Sequence, residues 1–594
     1  MIDKITAEIV RQYLETVSEE ISKTMENTSV SPAFSEAHDY STGIFFARGT
    51  EVDLLARANS QPVHIYASLT SVEAMLREFK YNLNEGDIII ATDPYFGGSH
   101  LPDWTVMKPI FYNNKPVFFP AVRAHFMEIG GPVPGGYNSR ANEIWQEGFR
   151  LAPMKICEKG EMRRDVVDLL CANNRLPDSM MGDLNAMIGS CKVGEDRILR
   201  LIEKYGLETT IETIDYLLEY SEKQVRAVIS SWPDGVYRAQ SVLDHDFGGG
   251  EDINVDVAIT VDGDHCLVDL AGTHEQTRGF INSAPGNSLS WVYTEFSVAM
   301  AGIPVNSGFF RPIKVHLPKG TVVNPWSPAP VGNSTLCIGN DIGQATMKAL
   351  EKIVPERTGS AFIDLTIDVI FGRNKRYDNE MYISFDYSAA PVSSGGAYGT
   401  DGWGGYAAPH GSLKIPSFEL MEILFPFLYL QNEYGTDTAA PGRWRGSPAH
   451  LMQRQATTDA VGNHFQVQHS RYPLKGFAGG NDSVGNLVVL DYTGANEETV
   501  FVARESYFQK PGEIVYARKQ GGGGWGNPLE RDPELVLRDV LDEYVSPQSA
   551  GEDYGVVLDT SGTQVDRVET SALRKRLGAT GVGERPDSEG HNPT

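Results

Sequence analysis

The chain has 594 residues, of which 41% are apolar and 22% charged, and its formal net charge is −27. This composition is typical of a globular protein with about three or four structural units. The negative charge argues against nucleic acid or an anionic membrane surface as a partner, because phosphate binding needs a positive patch. The sequence contains no run of apolar residues long enough to span a bilayer. The N-terminal residues lack the basic start and apolar block of a signal peptide, so we expect a cytoplasmic protein.

The five cysteines are far apart and form no C-x-x-C pair. Their odd number and spacing argue against a disulfide framework or a cysteine-rich zinc site. We expect buried thiols in a reducing compartment.

Hydrophobic periodicity predicts one long helix and then a strand-rich region before residue 125. Apolar residues recur at helical spacing over 5–27, and Ile88-Ile89-Ile90 forms a continuous β-branched run. The expected elements are a helix over 5–27, strands over 43–69 with a turn at Arg48-Gly49, a short helix over 72–83, and strands over 87–91 and 117–124, the last running into His125.

The pattern changes twice further along the chain. Residues 161–230 carry helical periodicity, whereas short alternating runs separated by Gly and Asp begin near residue 235. Two further helices are expected over 288–301 and 341–354. The predicted fold class is therefore α+β, with β-rich, barrel-like sheets and a helical block.

Glycine is unusually frequent, with 60 residues in the chain. They form clusters that interrupt segments with a clear hydrophobic pattern. Turns that need positive φ are one interpretation. Closely packed polyproline-II-like segments are the other, because such segments pack tightly only where side chains are absent. Aromatic residues inside the clusters, such as Trp403, Tyr406 and Trp525, favour ordered packing over a flexible linker.

These changes of pattern divide the chain into five parts. The expected parts are residues 1–160 with a metal site, the helical block 161–234, a β-rich part with inserted helices at 235–390, a glycine-rich and β part with a C-terminal helix at 391–560, and a polar, loosely ordered tail at 561–594.

The strongest candidate for chemistry is a metal site made of His100, Asp103 and His125. His100 and Asp103 lie three residues apart in a loop rich in Gly and Pro, and His125 stands at the end of a predicted strand. Two imidazoles and a carboxylate leave coordination positions open, as catalytic metals need. Mn, Fe(II) or Zn fits this mixed set, whereas calcium prefers oxygen ligands alone. The alternative is that these side chains satisfy backbone groups in turns.

Three more residues are candidates for proton transfer beside that site. Glu128 follows His125 closely and is a candidate fourth ligand, ligand partner or base. Asp39 stands just before a predicted strand, and His64 stands in a segment that we expect to be extended. Each has a structural role as its alternative.

Other catalytic patterns are missing from the sequence. It contains neither a G-x-S-x-G elbow nor a G-x-x-x-x-G-K-[ST] loop. The glycine-rich run 521–526 lacks the lysine and hydroxyl that hold phosphate and magnesium. We therefore expect any ATP in the reaction to be bound by another subunit.

Several motifs along the chain resemble the hydantoinase B family, which includes subunits of N-methylhydantoinase, 5-oxoprolinase and the acetone and acetophenone carboxylases. The resemblance covers about residues 3–558. The motifs that carry it are Asp93-Pro94, Gly98-Ser99-His100-Leu101-Pro102-Asp103, Ala124-His125, Gly130-Gly131, Glu147-Gly148-Phe149-Arg150-Leu151-Ala152-Pro153, Asn174-Arg175-Leu176-Pro177, Gly182-Asp183-Leu184-Asn185-Ala186, Phe425-Pro426, Pro441-Gly442-Arg443-Trp444-Arg445-Gly446, residues 521–528, Arg531-Asp532-Pro533 and Tyr554-Gly555-Val556-Val557.

The resemblance implies ligands, partners and a reaction. The carboxylase branch places a metal on the positions of His100, Asp103 and His125. It also implies ATPase partners of the ASKHA type, similar to the hydantoinase A family, and possible association with a small subunit. In the carboxylases, the partner is thought to phosphorylate the ketone as its enol and bicarbonate as carboxyphosphate. This chain would then host the carbon–carbon bond formation that gives a 3-oxo acid. The family also implies that the glycine-rich segments pack as polyproline-II-like helices.

Two departures from the family pattern affect the choice of substrate. Hydantoinase-type members usually read Ala-His-His with an Asp four positions after the alanine, whereas this chain has Phe126 and Glu128. The carboxylase branch also lacks the second histidine, so Phe126 favours a ketone carboxylase of the acetophenone carboxylase branch. An ATP-dependent cyclic amide hydrolase, and a scaffold that holds ATPase subunits without catalysis, remain the alternatives.

Overall fold

The computed structural model describes residues 3–49, 51–58, 61–80, 82–361, 367–387, 393–404 and 413–579. Tyr406 of the glycine-rich part and residues 580–594 of the predicted tail lie outside these ranges. The helices are α1 (Lys4–Thr28), α2 (Pro32–Ser35), α3 (Pro62–Glu78), α4 (Arg164–Ala172), α5 (Pro177–Tyr205), α6 (Leu207–Ile229), α7 (Pro285–Ala299), α8 (Ser307–Phe310), α9 (Ile338–Glu351), α10 (Phe418–Leu424), α11 (Pro533–Leu541), α12 (Pro547–Glu552) and α13 (Arg567–Ala579).

The strands belong to four sheets. They are β1 (Tyr40–Arg48), β2 (Glu51–Arg57), β3 (Ile88–Ala91), β4 (Asp103–Met107), β5 (Ile110–Tyr112), β6 (Lys115–His125), β7 (Met154–Glu158), β8 (Glu161–Met162), β9 (Gly235–His245), β10 (Glu251–Asp262), β11 (His265–Asp269), β12 (Ile313–His316), β13 (Ile367–Asn374), β14 (Glu380–Phe385), β15 (Phe427–Tyr434), β16 (His450–Ala456), β17 (Val461–Gln466), β18 (Leu487–Leu490), β19 (Glu498–Val500), β20 (Ala503–Gln509) and β21 (Ile514–Lys519).

The strand orders show open sheets. The first sheet runs β2-β1-β6-β4-β3-β7-β8, with β5 paired to β6, and the second runs β12-β11-β10-β9. The third runs β14-β13-β17-β20 and the fourth β15-β16-β21-β18-β19. The mixed α/β content agrees with the prediction. The barrel-like arrangement does not, because within the described ranges none of the four sheets closes on itself.

The first sheet is buried on both faces, since successive side chains of a strand point to opposite sides. On β1, Ile44 and Phe46 face a core shared with α1 and α5. Phe45 between them faces a second core shared with α3, α7, α9 and the second sheet. The helices and sheets therefore form layers, with the first sheet between two apolar cores.

The N-terminal helix confirms the sequence prediction. Asp3 caps α1 by accepting hydrogen bonds from the N–H groups of Ile5 and Thr6. The apolar stripe is buried, and α1 packs against α5 and the first sheet. The predicted strands over 87–91 and 117–124 are also present as β3 and β6.

Two local predictions were wrong. Residues 62–69 belong to α3 rather than to a strand, and Pro62 stands at the start of that helix, where a missing N–H does no harm. The apolar residues 63, 67, 69, 72, 75 and 76 are buried on both sides of that helix, which hides its helical period. After residue 560, where a loosely ordered tail was expected, α13 begins at Arg567.

The glycine-rich segments lie side by side in the C-terminal half. The N–H of Gly396 donates to the carbonyl of Gly523, and the N–H of Gly523 donates to the carbonyl of Ala361. A Cβ added at Gly446 would overlap the carbonyl group of Gly522. Glycine is therefore needed for this close approach, whereas the polyproline-II conformation and the five-part division of the chain stay predictions.

In the part of the chain that the structure describes, no helix is both long and apolar enough to cross a bilayer.

Candidate metal centre

The pairing of two strands in the first sheet brings Asp103 and His125 together. Asp103 is the first residue of β4, His125 is the last residue of β6, and the two are direct partners in the antiparallel register. His100 stands in the loop just before β4, and its carbonyl accepts a hydrogen bond from the N–H of Asp103. The short loop and the register therefore place all three side chains at one end of the sheet.

The ligand atoms of these three residues converge. His100 Nε2 lies 3.0 Å from Asp103 Oδ1 and 3.1 Å from His125 Nδ1. His125 Nδ1 lies 3.1 Å from the same carboxylate oxygen. Two atoms that each lie about 2.1 Å from one ion, at an angle between about 90° and 109°, are about 3.0–3.4 Å apart. The observed separations match that spacing, and no other group of His, Cys, Asp and Glu converges this way within the described ranges.

A hydrogen bond on the far side of His100 decides which nitrogen faces the cluster. His100 Nδ1 lies 2.8 Å from the carbonyl oxygen of Gly332, which can only accept, so Nδ1 carries the proton. A neutral His100 then directs the lone pair of Nε2 at the carboxylate of Asp103. Two lone pairs 3.0 Å apart repel each other unless a second proton or a cation lies between them. The donor set therefore fits a divalent metal.

The carboxylate of Asp103 is held in its ionised form. Burial acts to raise the pKa of Asp103, but its interactions with the imidazoles of His100, His64 and His125 hold it well below its ordinary value. Its second oxygen accepts from the Ser99 hydroxyl and lies 3.6 Å from Nε of the buried Arg123. Arg123 also donates to that hydroxyl at 2.6 Å. The cluster thus retains an anionic ligand in a buried site.

The two predicted proton-transfer residues His64 and Asp39 also reach this site. His64 Nε2 lies 3.5 Å from Asp103 Oδ2, while its Nδ1 is buried with no partner among the described residues. Burial lowers the pKa of His64, so its neutral form is favoured. Asp39 accepts a hydrogen bond from the Tyr387 hydroxyl at 3.0 Å, and its backbone carbonyl accepts from the N–H of His125.

Comparisons with known proteins show which family the chain belongs to. The model of the family described as hydantoinase B/oxoprolinase matches residues 3–528. The chain belongs to that family. It is 32% identical to caprolactamase subunit beta of Pseudomonas jessenii, covering 96% of this chain and 99% of the relative. It is 26% identical to the acetophenone carboxylase delta subunit of Aromatoleum aromaticum, covering 85% of this chain and 79% of the relative.

Among solved structures, the ATP-dependent caprolactamase from Pseudomonas jessenii superposes with a TM-score of 0.90. The sequence identity in that superposition is 32%, and it covers 97% of this chain and 100% of the solved one. The resemblance to the hydantoinase B family that the motifs indicated is therefore confirmed over nearly the whole chain.

Glu128 is not directed at the cluster in this family member. Its carboxylate accepts from the N–H groups of Gly130 and Gly135 at 2.6 and 3.2 Å, and pairs with Arg175 Nη1 at 2.8 Å. Burial raises the pKa of Glu128, although Arg175 acts against the shift. The contacts show a side chain that shapes the loop after β6, whereas its predicted role as a base or ligand has no contact here to support it.

The neighbouring residue Phe126 also faces away from the cluster. Its ring stacks on Trp104 with centroids 4.1 Å apart and meets the edge of Phe34 at 5.5 Å. Position 126 thus belongs to the core between α1, α2 and the first sheet. Phe126 itself therefore contributes nothing to the candidate ligand set, and the preference for a carboxylase that was based on this residue stays a prediction.

The sequence did not reveal the residues that enclose the cluster, because they come from distant segments of the chain. Gly332 holds His100 from the loop before α9, and the ring of Phe385 in β14 lies 5.4 Å from that of His125. The Tyr137 ring lies 6.0 Å from both imidazoles. Tyr137 directly follows the glycine-rich segment 130–136, which was a weak indication of its role. No motif beside Gly332 or Phe385 indicated their place at the site.

Proposed function

We propose that this chain is the metal-binding subunit of an ATP-dependent enzyme that hydrolyses a cyclic amide. The observation that carries the metal site is the convergence of His100, Asp103 and His125 at 3.0–3.1 Å, with the His100 proton fixed on the opposite nitrogen by Gly332. The substrate class is supported by the 32% identity to caprolactamase subunit beta over 96% of this chain. A lactam ring is the substrate that the name of this relative implies.

The donor set defines the kind of ion. Two imidazole nitrogens and one carboxylate oxygen suit Mn, Fe or Zn. When bound, such an ion acts as a Lewis acid that polarises a carbonyl oxygen of the substrate. The buried position of all three ligands keeps bulk water away, which strengthens electrostatic interactions with the substrate.

The residues around the ligands have separate tasks in this proposal. Arg123 and Ser99 hold the second oxygen of Asp103, so the first oxygen stays directed at the ion. His64 presents a buried Nδ1 without a hydrogen-bond partner among the described residues, and it is our candidate to accept a proton from attacking water. Asp39, held by Tyr387, is a candidate fourth ligand or a partner for that proton.

ATP belongs to the partner subunits in this proposal. The sequence contains no P-loop, and the relative with 32% identity is itself a subunit, beta, of its enzyme. We infer hydantoinase A-like ATPase partners of the ASKHA type, possible association with a small subunit, and assembly in the cytoplasm. The proposed complex binds neither nucleic acid nor a membrane, which agrees with the formal net charge of −27 of this chain.

A ketone carboxylase is the second candidate. It is supported by the 26% identity to the acetophenone carboxylase delta subunit over 85% of this chain. An ion held by His100, Asp103 and His125 would then supply Lewis-acid stabilisation of the ketone oxygen. Overall, the enol phosphate, carboxyphosphate and water would give a 3-oxo acid and two phosphate ions. The two reactions share the metal centre and differ in the co-substrate, which is water in one and bicarbonate in the other.

Metal content and product identity test the proposal. The complex purified with its partner subunits should contain about one equivalent of Mn, Fe or Zn per chain by elemental analysis. His100→Ala should remove that metal and all turnover. His316→Ala, which changes an exposed histidine on the second sheet, should change neither. A fully active complex without metal would refute the metal centre and leave this chain as a scaffold.

The substrate assay uses the same preparations. The complex with ATP should open ε-caprolactam, 5-oxoproline or hydantoin without bicarbonate. Bicarbonate-dependent conversion of acetophenone or acetone, together with no ring opening, would replace the hydrolase by the carboxylase. Release of phosphate without either product would contradict both.

A further inference from the structure

The wall of the candidate metal centre contains one buried tyrosine, Tyr137. Its ring centroid lies 6.0 Å from the ring centroids of His100 and His125 and 5.2 Å from that of Phe385. The residue is 1% exposed. It therefore lies against two of the three candidate ligands, although it comes from a different segment of the chain.

The hydroxyl group of Tyr137 makes no hydrogen bond with any residue that the structure describes. A phenol carries its proton at neutral pH, so this hydroxyl can donate a hydrogen bond to a group that binds beside it.

The loop that carries Tyr137 is firmly held. Glu128 accepts hydrogen bonds from the N–H groups of Gly130 and Gly135, and Gly135 has φ of 78°, a conformation that suits glycine. The backbone carbonyl of Tyr137 accepts from Gln466 Nε2 at 3.0 Å. The position of the phenol is therefore determined by contacts on both sides of it rather than by its own hydroxyl group.

We propose that the Tyr137 hydroxyl donates a hydrogen bond to the oxygen atom of a ligand bound at the His100–Asp103–His125 centre. This inference rests on the proposed function, since it requires a metal at those residues. The substrate oxygen supplies the partner that the hydroxyl lacks in the protein alone. For a cyclic amide, this oxygen is the carbonyl oxygen, on which negative charge grows when water attacks the carbon, so the hydrogen bond strengthens during the reaction.

The test uses the whole complex loaded with Co(II), whose visible absorption reports ligands at the metal. Acetohydroxamate is the probe, because it binds metals through oxygen atoms and needs no turnover. Tyr137→Phe should keep the cobalt content of the wild type and bind acetohydroxamate about tenfold more weakly, as expected for one lost hydrogen bond. With a substrate that is turned over, kcat should fall about a hundredfold and KM should change little.

Tyr554→Phe is the matched control. Tyr554 is equally buried and its hydroxyl also has no hydrogen-bond partner among the described residues, but it lies in a separate apolar cluster near the C-terminus. This variant should bind cobalt and acetohydroxamate as the wild type does. Both variants should unfold at about the wild-type temperature, because neither change removes a hydrogen bond between described residues.

The outcomes separate this inference from the proposed function. Equal affinity of Tyr137→Phe and wild type for acetohydroxamate would overturn the role of the hydroxyl while leaving the metal centre intact. A lower unfolding temperature or a lower cobalt content in Tyr137→Phe would show a structural role and overturn it as well. A wild-type complex that takes up no cobalt would refute the metal centre, and the role of Tyr137 with it.

Discussion

Replacing Glu147 tests how the protein core holds His100 in place. Glu147 is fully buried, and its Oε1 accepts a hydrogen bond from the N–H of Gly332 at 2.6 Å. The carbonyl of the same Gly332 accepts from His100 Nδ1 at 2.8 Å. The side chain of Glu147 therefore acts on His100 through one residue of the loop before α9.

The charge state of Glu147 makes the prediction specific. Burial raises the pKa of Glu147 well above its ordinary value, although the N–H groups of Gly332 and Val331 and the charge of Arg150 act against the shift. We therefore expect a protonated, uncharged carboxyl group at neutral pH. A glutamine has nearly the same shape, and its carbonyl oxygen can accept from the Gly332 N–H.

The expected magnitudes follow from these contacts. In Glu147→Ala the buried N–H of Gly332 loses its acceptor, which costs about 1–3 kcal/mol, and the lost methylene adds about 1 kcal/mol. The sum is about 2–4 kcal/mol of local stability. Glu147→Gln should cost less than about 1 kcal/mol. Metal affinity should fall about tenfold in Glu147→Ala, since the partner of a metal-binding histidine is loosened.

Hydrogen exchange measured by mass spectrometry is the assay, because it reports the stability of this loop separately from that of the rest of the chain. Peptides that cover residues 328–337 should exchange about 30- to 900-fold faster in Glu147→Ala and nearly as slowly as wild type in Glu147→Gln. Glu212→Ala, at an exposed site on α6, should leave these peptides unchanged. Equal loss of protection in the Gln and Ala variants would refute the uncharged state of Glu147.

Two further predictions concern the glycine-rich packing and a buried histidine. In Gly446→Ala the new Cβ would overlap the carbonyl of Gly522, so the free energy of unfolding should fall by at least about 2–3 kcal/mol. In Gly189→Ala the new Cβ meets open space, so the free energy of unfolding should rise by about 0.5–1 kcal/mol. A urea midpoint for Gly446→Ala equal to that of the wild type would contradict the close packing. Burial lowers the pKa of His464 from 6.5 to about 4, and its Nδ1 accepts from the N–H of Ser506. The neutral imidazole of His464 therefore stabilises the fold fully above pH 6.5. This stabilisation is lost as the pH falls towards about 4, because the unfolded chain takes up a proton at His464 first. Between pH 7.5 and 4.5 the free energy of unfolding should fall by up to about 3 kcal/mol more in the wild type than in His464→Gln. Parallel pH profiles of the two urea midpoints would refute this prediction.

The sequence located the cluster correctly because its residues are close together in the strands. His100 and Asp103 share one short loop, and His125 follows a strand that could be read from its apolar run. Antiparallel pairing of β4 and β6 then made Asp103 and His125 neighbours. The metal itself, and the chemical role of each residue, stay predictions that the experiments above address.

Glu128 shows why residue type alone does not give a role. Three residues from His125, a carboxylate has the chemistry of a base, but the loop after β6 contains glycines whose N–H groups need an acceptor. Two of these N–H groups and Arg175 bind the carboxylate. The glycines were visible in the sequence, whereas the direction of the Glu128 side chain depends on the path of that loop.

The helix α3 was mistaken for a strand for a related reason. The helix α3 contacts the first sheet and α7, and its apolar side chains are buried in one core with them. A helix buried on several sides has no polar face, so its apolar residues do not follow a 3.6-residue period. The correction matters for the site, since a helix directs His64 at Asp103.

The candidate site depends on parts of the chain that the sequence analysis had divided. Asp103 and His125 come from the first sheet, Gly332 from the loop before α9, and Phe385 from the end of β14. The loop of Gly332 fixes which nitrogen of His100 carries the proton, and this choice favours a ligand set over a hydrogen-bonded turn. The geometry of the candidate ligand set therefore depends on the whole packed chain. It does not depend on the first 160 residues alone, although all three candidate ligands lie there.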